Sequence, residues 1–319
     1  DAYNRIGDCN FYARRFDSAR QDYARAVEID PSLGDYSLYQ EAFARGLQKD
    51  YTGKIQILNR LIADYPESQY LDDALYEQGR AFVQMEDHTN AINRFNILLK
   101  KFPESNMARR AANEIGLLYY QGDKYPEAIQ AYKQVITNYP GSEEARLAQR
   151  DLKSIYIDLN KVDEYANFAS TIPGGANFDV NERDSLTYVA AERVRGEIDE
   201  ARNSFTHYLQ TFPEGAFSLN ANYYVGLIDY NRKAYNSAIE HLDKVLAYPN
   251  NKYSEDAMMM SAEMAYSAKD YEKALTVYKQ LKDKAVSPER RQLAKTGVLR
   301  SAYMLGNGEE VMLAATDLL

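Results

Sequence analysis

The chain has 319 residues, 45% apolar and 27% charged, enough for two ordinary domains or one long array with a buried core. A net charge of −9, with no run of four basic residues, speaks against nucleic acid as a partner, because phosphate binding needs clustered Lys and Arg. A single cysteine, Cys9, rules out an internal disulfide, and no apolar run approaches the ~18 residues of a membrane span.

The chain opens directly on helical periodicity. Tyr3, Ile6 and Gly7 mark a first helix, a turn falls near Arg14-Arg15-Phe16, and Ala19, Tyr23 and Ala26 mark a second helix that Pro31 ends. Spacings of three and four residues give each helix one apolar stripe. Gly7 and Ala19 are small enough for two backbones to approach, with Tyr23 filling the space beside them.

The same unit then recurs. Prolines at 31, 66, 103, 140, 173, 213, 249 and 288 are 33 to 40 residues apart; Pro126 stands outside the series. Several sit in a common spelling: Tyr65-Pro66-Glu67-Ser68, Phe102-Pro103-Glu104-Ser105, Tyr139-Pro140-Gly141-Ser142 and Phe212-Pro213-Glu214-Gly215. In this step the aromatic covers the end of a second helix and proline stops it. The serine then accepts from free amides of the next helix.

Further along, Ser170 to Phe178 contains Pro173-Gly174-Gly175, a helix-ending run that predicts a kink or seam, or else a longer loop. The fifth unit is also short, with only eleven residues from Val162 to Pro173. The chain therefore divides into 1–172, with about five units, and 173–319, with about four, the last incomplete. Beginning with Asp1 in a helical pattern and ending on helical "VMLAATDLL", it reads as a piece of a longer protein.

These residues resemble the tetratricopeptide repeat, which has a large-small pair, then alanine, an aromatic and proline. The clearest copy carries Ile115-Gly116, Tyr119, Tyr125, Ala128, Tyr132 and Pro140; others carry Gly79, Ala91 and Phe95, or Val225-Gly226 and Ala238, or Ala262, Ala274 and Tyr278. The second copy departs, with Lys54 at the alanine place, and the ninth offers Gly297 and then stops. The resemblance implies an all-α, right-handed α-α superhelix of about eight to nine helix pairs, its first helices lining a concave side. The junction spelling, closest over Asp64 to Gln149, is similar to bacterial envelope proteins of the Tol–Pal-associated type and to the repeat-bearing lipoprotein of outer-membrane assembly. That subgroup implies a periplasmic or outer-membrane-associated scaffold; a cytoplasmic regulatory module of a signalling protein is the alternative.

No catalytic constellation is visible. His88, His207 and His241 lie far apart, so no helix presents two histidines to a metal, and each is expected at a surface or turn. Nothing in the sequence gathers Ser, Asp and His together, no phosphate-binding glycine loop is present, and Cys9 reads as a small apolar helix residue. The expectation is a non-enzyme with no cofactor and no metal.

What remains is recognition. In the family the groove is lined by first-helix residues. On this chain those places are Asn4, Asp8 and Tyr12, then Tyr39, Tyr76, Arg80, Asn113, Tyr120, Tyr223, Tyr230 and Tyr266. Rings that give contact area and polar tips that orient suit a peptide or protein partner. The family's clamp for a C-terminal carboxylate needs Lys and Asn where this chain has Asn4 and Asp8, and Asp8 would repel a carboxylate. Terminal repeats without a polar outer face add an expectation of self-association.

Overall fold

A computed structural model describes residues 2–172 and 179–319. These hold eighteen α-helices, one 3-10 turn at Pro31–Leu33 and no strand. The helices form nine consecutive pairs. The first four are α1 (Ala2–Tyr12) with α2 (Phe16–Ile29), α3 (Gly34–Leu47) with α4 (Tyr51–Asp64), α5 (Leu71–Gln84) with α6 (His88–Lys101), and α7 (Asn106–Gln121) with α8 (Tyr125–Asn138). Then come α9 (Glu143–Asp158) with α10 (Val162–Ala169), and α11 (Val180–Arg193) with α12 (Ile198–Thr211). The last are α13 (Ser218–Asn231) with α14 (Tyr235–Leu246), α15 (Ser254–Ser267) with α16 (Tyr271–Lys284), and α17 (Pro288–Met304) with α18 (Gly308–Leu318). The short fifth unit is seen as α10, eight residues long where α8 and α12 have fourteen. Contacts gather the described residues into two compact units: 2–155 with 171–172, and Tyr156–Ser170 with 179–319. Each is an α-α solenoid. The expected break at Pro173-Gly174-Gly175 lies outside the described residues.

Within a pair, a missing side chain sets the approach of the two helices. A Cβ on Gly7 would stand 2.7 Å from the Tyr23 ring, on Gly116 2.6 Å from Tyr132, and on Gly226 2.8 Å from Leu242. Gly79 meets Phe95 in the same way. The rings so received are fully buried, each stabilising by about 1.5–3 kcal/mol. Gly297 lies on α17, the first helix of the ninth pair, but receives Tyr278 of the preceding pair rather than a residue of its own.

The core is repeated rather than central. Each cluster joins one pair to the next first helix, as in Leu75, Ala91, Phe95, Leu98, Ala108 and Ile115 from α5, α6 and α7. Ala257, Leu242 and Val245 play the same part for α13, α14 and α15. No pair buries its apolar face alone, so stacking is obligatory.

Two kinds of turn repeat with the units. Between paired helices, Arg14, Lys49, Glu86, Asp123, Asn160, Lys233 and Lys269 take φ between +55° and +63°, and Gly306 takes +69°. The next backbone N–H closes on the carbonyl five residues back, as in Asp87 to Phe82 and Lys124 to Tyr119, both 2.9 Å. This is a Schellman ending, normally a glycine position; here residues other than glycine mostly hold it, and only Asp123 and Asn160 are types that tolerate the left-handed region well. Between pairs, Tyr65, Phe102, Tyr139 and Phe212 all end their helices near φ −130° and ψ +60°. The Tyr65 hydroxyl donates to the Pro31 carbonyl at 2.9 Å, and that of Tyr139 to the Pro103 carbonyl at 3.4 Å, so each junction holds the previous one. Ser105 caps α7, accepting from the Met107 N–H at 2.9 Å, while its hydroxyl donates to Asp72.

Unit two carries a buried ion pair. The Asp229 side chain is 1% exposed and takes Arg202 Nη2 on Oδ2 at 3.0 Å, with Ser237 Oγ at 2.6 Å. Burial alone would raise its carboxyl pKa; the hydrogen bonds from Arg202 and Ser237 outweigh this and hold it low.

Two outcomes follow from this packing. Gly116→Ala should destabilise by about 1–3 kcal/mol in chemical denaturation, because the buried Tyr132 ring has no room to retreat. Gly196→Ala, where a Cβ meets nothing within 4 Å, should not. Arg202→Ala should cost about 3 kcal/mol by stranding Asp229, and a second change, Asp229→Asn, should recover part of that loss. Strictly additive losses would show that the two side chains are not coupled.

Candidate functional site

Asn4 and Asp8 stand one turn apart on α1 and do share a site, together with Arg5, Leu33 and Tyr36 around a cleft of about 190 Å³. Asn4 is not an open groove residue: it is buried, and its Oδ1 accepts from Ser37 Oγ on α3 at 2.7 Å. Asp8 accepts two phenols, Tyr23 at 2.9 Å and Tyr36 at 2.7 Å, with Arg5 Nη1 at 4.0 Å. Burial first, and then the Asp8 carboxylate, push both phenol pKa values up.

Two further candidates are also corrected to buried, Tyr76 and Tyr223, and in both cases the next first helix is the cause. The Tyr223 ring stacks on Tyr253 at 3.9 Å, and its hydroxyl donates to Asp256 Oδ2 at 3.1 Å. Burial and the Asp256 charge raise its pKa to about 12. Tyr76 lies against Phe95 at 5.8 Å and under the Arg110 guanidinium at 5.7 Å. Tyr39, half-buried, stacks on Tyr70 at 5.0 Å. Tyr70 and Tyr253 precede α5 and α15 at their N-caps, so each ring bridges one first helix to the next.

A second aromatic pairing recurs five residues apart across the turn inside a pair. Tyr120 meets Tyr125 at 6.0 Å, Tyr230 meets Tyr235 at 6.2 Å, Tyr266 meets Tyr271 at 5.3 Å, and Phe11 meets Phe16 at 5.6 Å. Two of these tyrosines also lean on the following first helix: Tyr230 donates to Glu263, and the Arg300 guanidinium covers the Tyr266 ring at 4.8 Å. The residues left facing outward are Tyr12, 87% exposed, Arg80, and Tyr120, 37% exposed. Asn113 is half-buried, and its Oδ1 has no hydrogen-bond partner among the described residues.

The chemistry-bearing residues depart from expectation in three places. Cys9 is exposed. His241 is half-buried on α14, its Nδ1 2.8 Å from Asn222 Oδ1, and burial lowers its pKa. The fold does gather Asp163, Ser204 and His207 around one cleft of about 410 Å³. There His207 Nε2 lies 3.1 Å from Asp163, which also holds Arg183. Ser204 is buried, donates to the Glu200 carbonyl at 2.8 Å and accepts from Asn160 at 2.6 Å, so its hydroxyl is committed to structure rather than poised as a nucleophile. Among the described residues no group of three His, Cys, Asp or Glu side chains could hold a metal, and no helix is long and apolar enough to cross a membrane.

The repeated helix pairs have counterparts among known proteins. Family profiles described as tetratricopeptide repeat match residues 1–33, 36–68, 76–143 and 256–285, together about half of the chain. No curated protein matches. Among solved structures, one of Naa15/Naa10 bound to HypK-THB aligns over 99% of this chain with a TM-score of 0.52 and 13% identity; the chain spans 51% of that chain's length. A tetratricopeptide repeat protein from Parabacteroides merdae aligns over 84% of this chain and 98% of its own, at 12% identity and TM-score 0.39. The TPR2AB domain of yeast Sti1, in a complex with pHSP90, aligns over 88% and 97%, at 19% identity and TM-score 0.40. With the profiles matching in register with the helix pairs, the chain belongs to the tetratricopeptide repeat family.

Proposed function

We propose that this chain is a non-enzymatic scaffold that holds a protein or peptide partner against the outward face of its first helices, in the bacterial cell envelope. One observation carries the reading: the first-helix tyrosines are fixed by the neighbouring pair. Tyr39 is stacked on Tyr70, and Tyr230 is tied to Glu263. Rings locked before a partner arrives lose little freedom on binding, which favours affinity. Beside this rigid bed, Tyr12, Arg80 and Tyr120 face outward. Aromatic and arginine side chains are the usual anchors of such faces. The aligned Naa15/Naa10 structure is itself a complex with HypK-THB, which agrees with an interaction role. The envelope setting is supported by the Tyr/Phe-Pro junction spelling.

The test is capture of partners from bacterial envelope and cytosolic fractions by the wild type and by a Tyr12→Ala/Arg80→Ala/Tyr120→Ala variant. A protein held by the wild type and lost by the variant is expected, with stability changed by no more than about 0.5 kcal/mol per site. Equal capture by both would remove the first-helix face from the proposal. A specific partner found only in the cytosolic fraction would remove the envelope setting.

A further inference from the structure

A cleft of about 460 Å³ opens between the second helices α6 and α8, above α7, and none of Tyr12, Arg80 and Tyr120 lines it. Its volume falls in the ordinary range for ligand sites. Ile115 and Val135, both buried, form an apolar floor. Its wall on α8 is a ladder of carboxamides, Gln130, Gln134 and Asn138, each four residues after the last, with Asn96 opposite on α6. All four are exposed, and none is engaged by another described residue. Glu127 is the one charged side chain among the lining residues. The cleft in the same place of the repeat between α10 and α12, by contrast, is lined by Lys161, Asp163, Glu164 and His207. Neutrality is therefore a property of these residues and not of the repeat.

The ladder has a length scale. Four helical residues advance about 6 Å, and two residues of extended chain advance about 6.6 Å. An extended peptide laid along α8 therefore brings every second N–H and C=O to a carboxamide, drifting only about 1 Å over the three rungs. A carboxamide both donates and accepts, which is what an alternating backbone edge requires. The remaining side chains, every second one, then point at the apolar floor. We infer that this cleft binds an extended, uncharged segment of a partner polypeptide through its backbone, with small aliphatic residues at alternate positions.

The probe is a fluorescein-labelled nonapeptide pool, serine at odd positions and Ala, Val, Leu or Ile at even ones, titrated with the whole 319-residue chain and read by anisotropy. Saturable binding is expected. A Gln130→Ala/Gln134→Ala/Asn138→Ala variant should bind about ten-fold more weakly or worse, since each amide contributes a net hydrogen bond. The same pool N-methylated at alternate backbone amides should lose binding likewise. Asn203→Ala, in the charged cleft, should change nothing. Absence of saturable binding to the wild type, or equal binding of the triple variant or of the N-methylated pool, overturns the inference. The Tyr12→Ala/Arg80→Ala/Tyr120→Ala variant separates it from the proposed function. It should keep its affinity for the pool, and a loss there would place the peptide on the first helices and sink the cleft.

Discussion

The rest of this structure depends on how closely two helices approach within a pair, and in four of the nine pairs that distance is set by a hydrogen atom where a side chain would otherwise be. At Gly7, Gly79, Gly116 and Gly226 the first helix gives up its Cβ, and a large residue of the second helix takes the space. Because interiors are packed like crystals, the contact fixes the angle and depth of the pair. The fixed pair then presents one apolar face of set shape, and only another pair can cover it. Small, fully buried residues such as Ala111, Ala221 and Ala257 at the start of each following first helix complete the fit. Stability is thus distributed along the chain in repeated clusters.

The same closeness explains why the tyrosines behave as they do. A ring on one first helix is near enough to the next to stack or to donate a hydrogen bond, and Tyr39, Tyr76, Tyr223 and Tyr230 all do so. Tyrosine serves here as a bolt between neighbours, with an apolar ring for the stack and a hydroxyl for an acid about thirty-three residues ahead. Tyr12, Arg80 and Tyr120 remain exposed. Buried and exposed tyrosines therefore share one helix type, and position in the repeat decides between the two states.

Where the repeat breaks its own rules, polar groups take over from small apolar ones. Lys54 stands in the alanine place of the second pair, is buried, and is neutralised by Glu77, with Gly46 making room for its ammonium. In the second unit Arg202 and Asp229 do comparable work. Such pairs add little net stability over an apolar core, but they tolerate only one arrangement.

The sequence by itself determined the helical class, the pairing of helices, the repeat length and the glycine-aromatic contact. Each of these is written in local spacing: apolar residues at three and four, prolines at 33 to 40, and glycine twelve residues before alanine. Gly297 shows the limit of that reading, since a glycine can serve its own pair or the preceding one and looks the same in either role. The left-handed turns were not legible, although they mark the repeat more evenly than the prolines do, because Lys49, Glu86 and Lys233 are not residues that advertise a positive φ. The tertiary structure alone decided that Asn4, Tyr76 and Tyr223 are buried and that Tyr12 and Tyr120 are not. Spacing along one helix gives the direction in which a side chain points. What it meets there is supplied by the next pair, and that depends on the distance between helices, which only packing fixes.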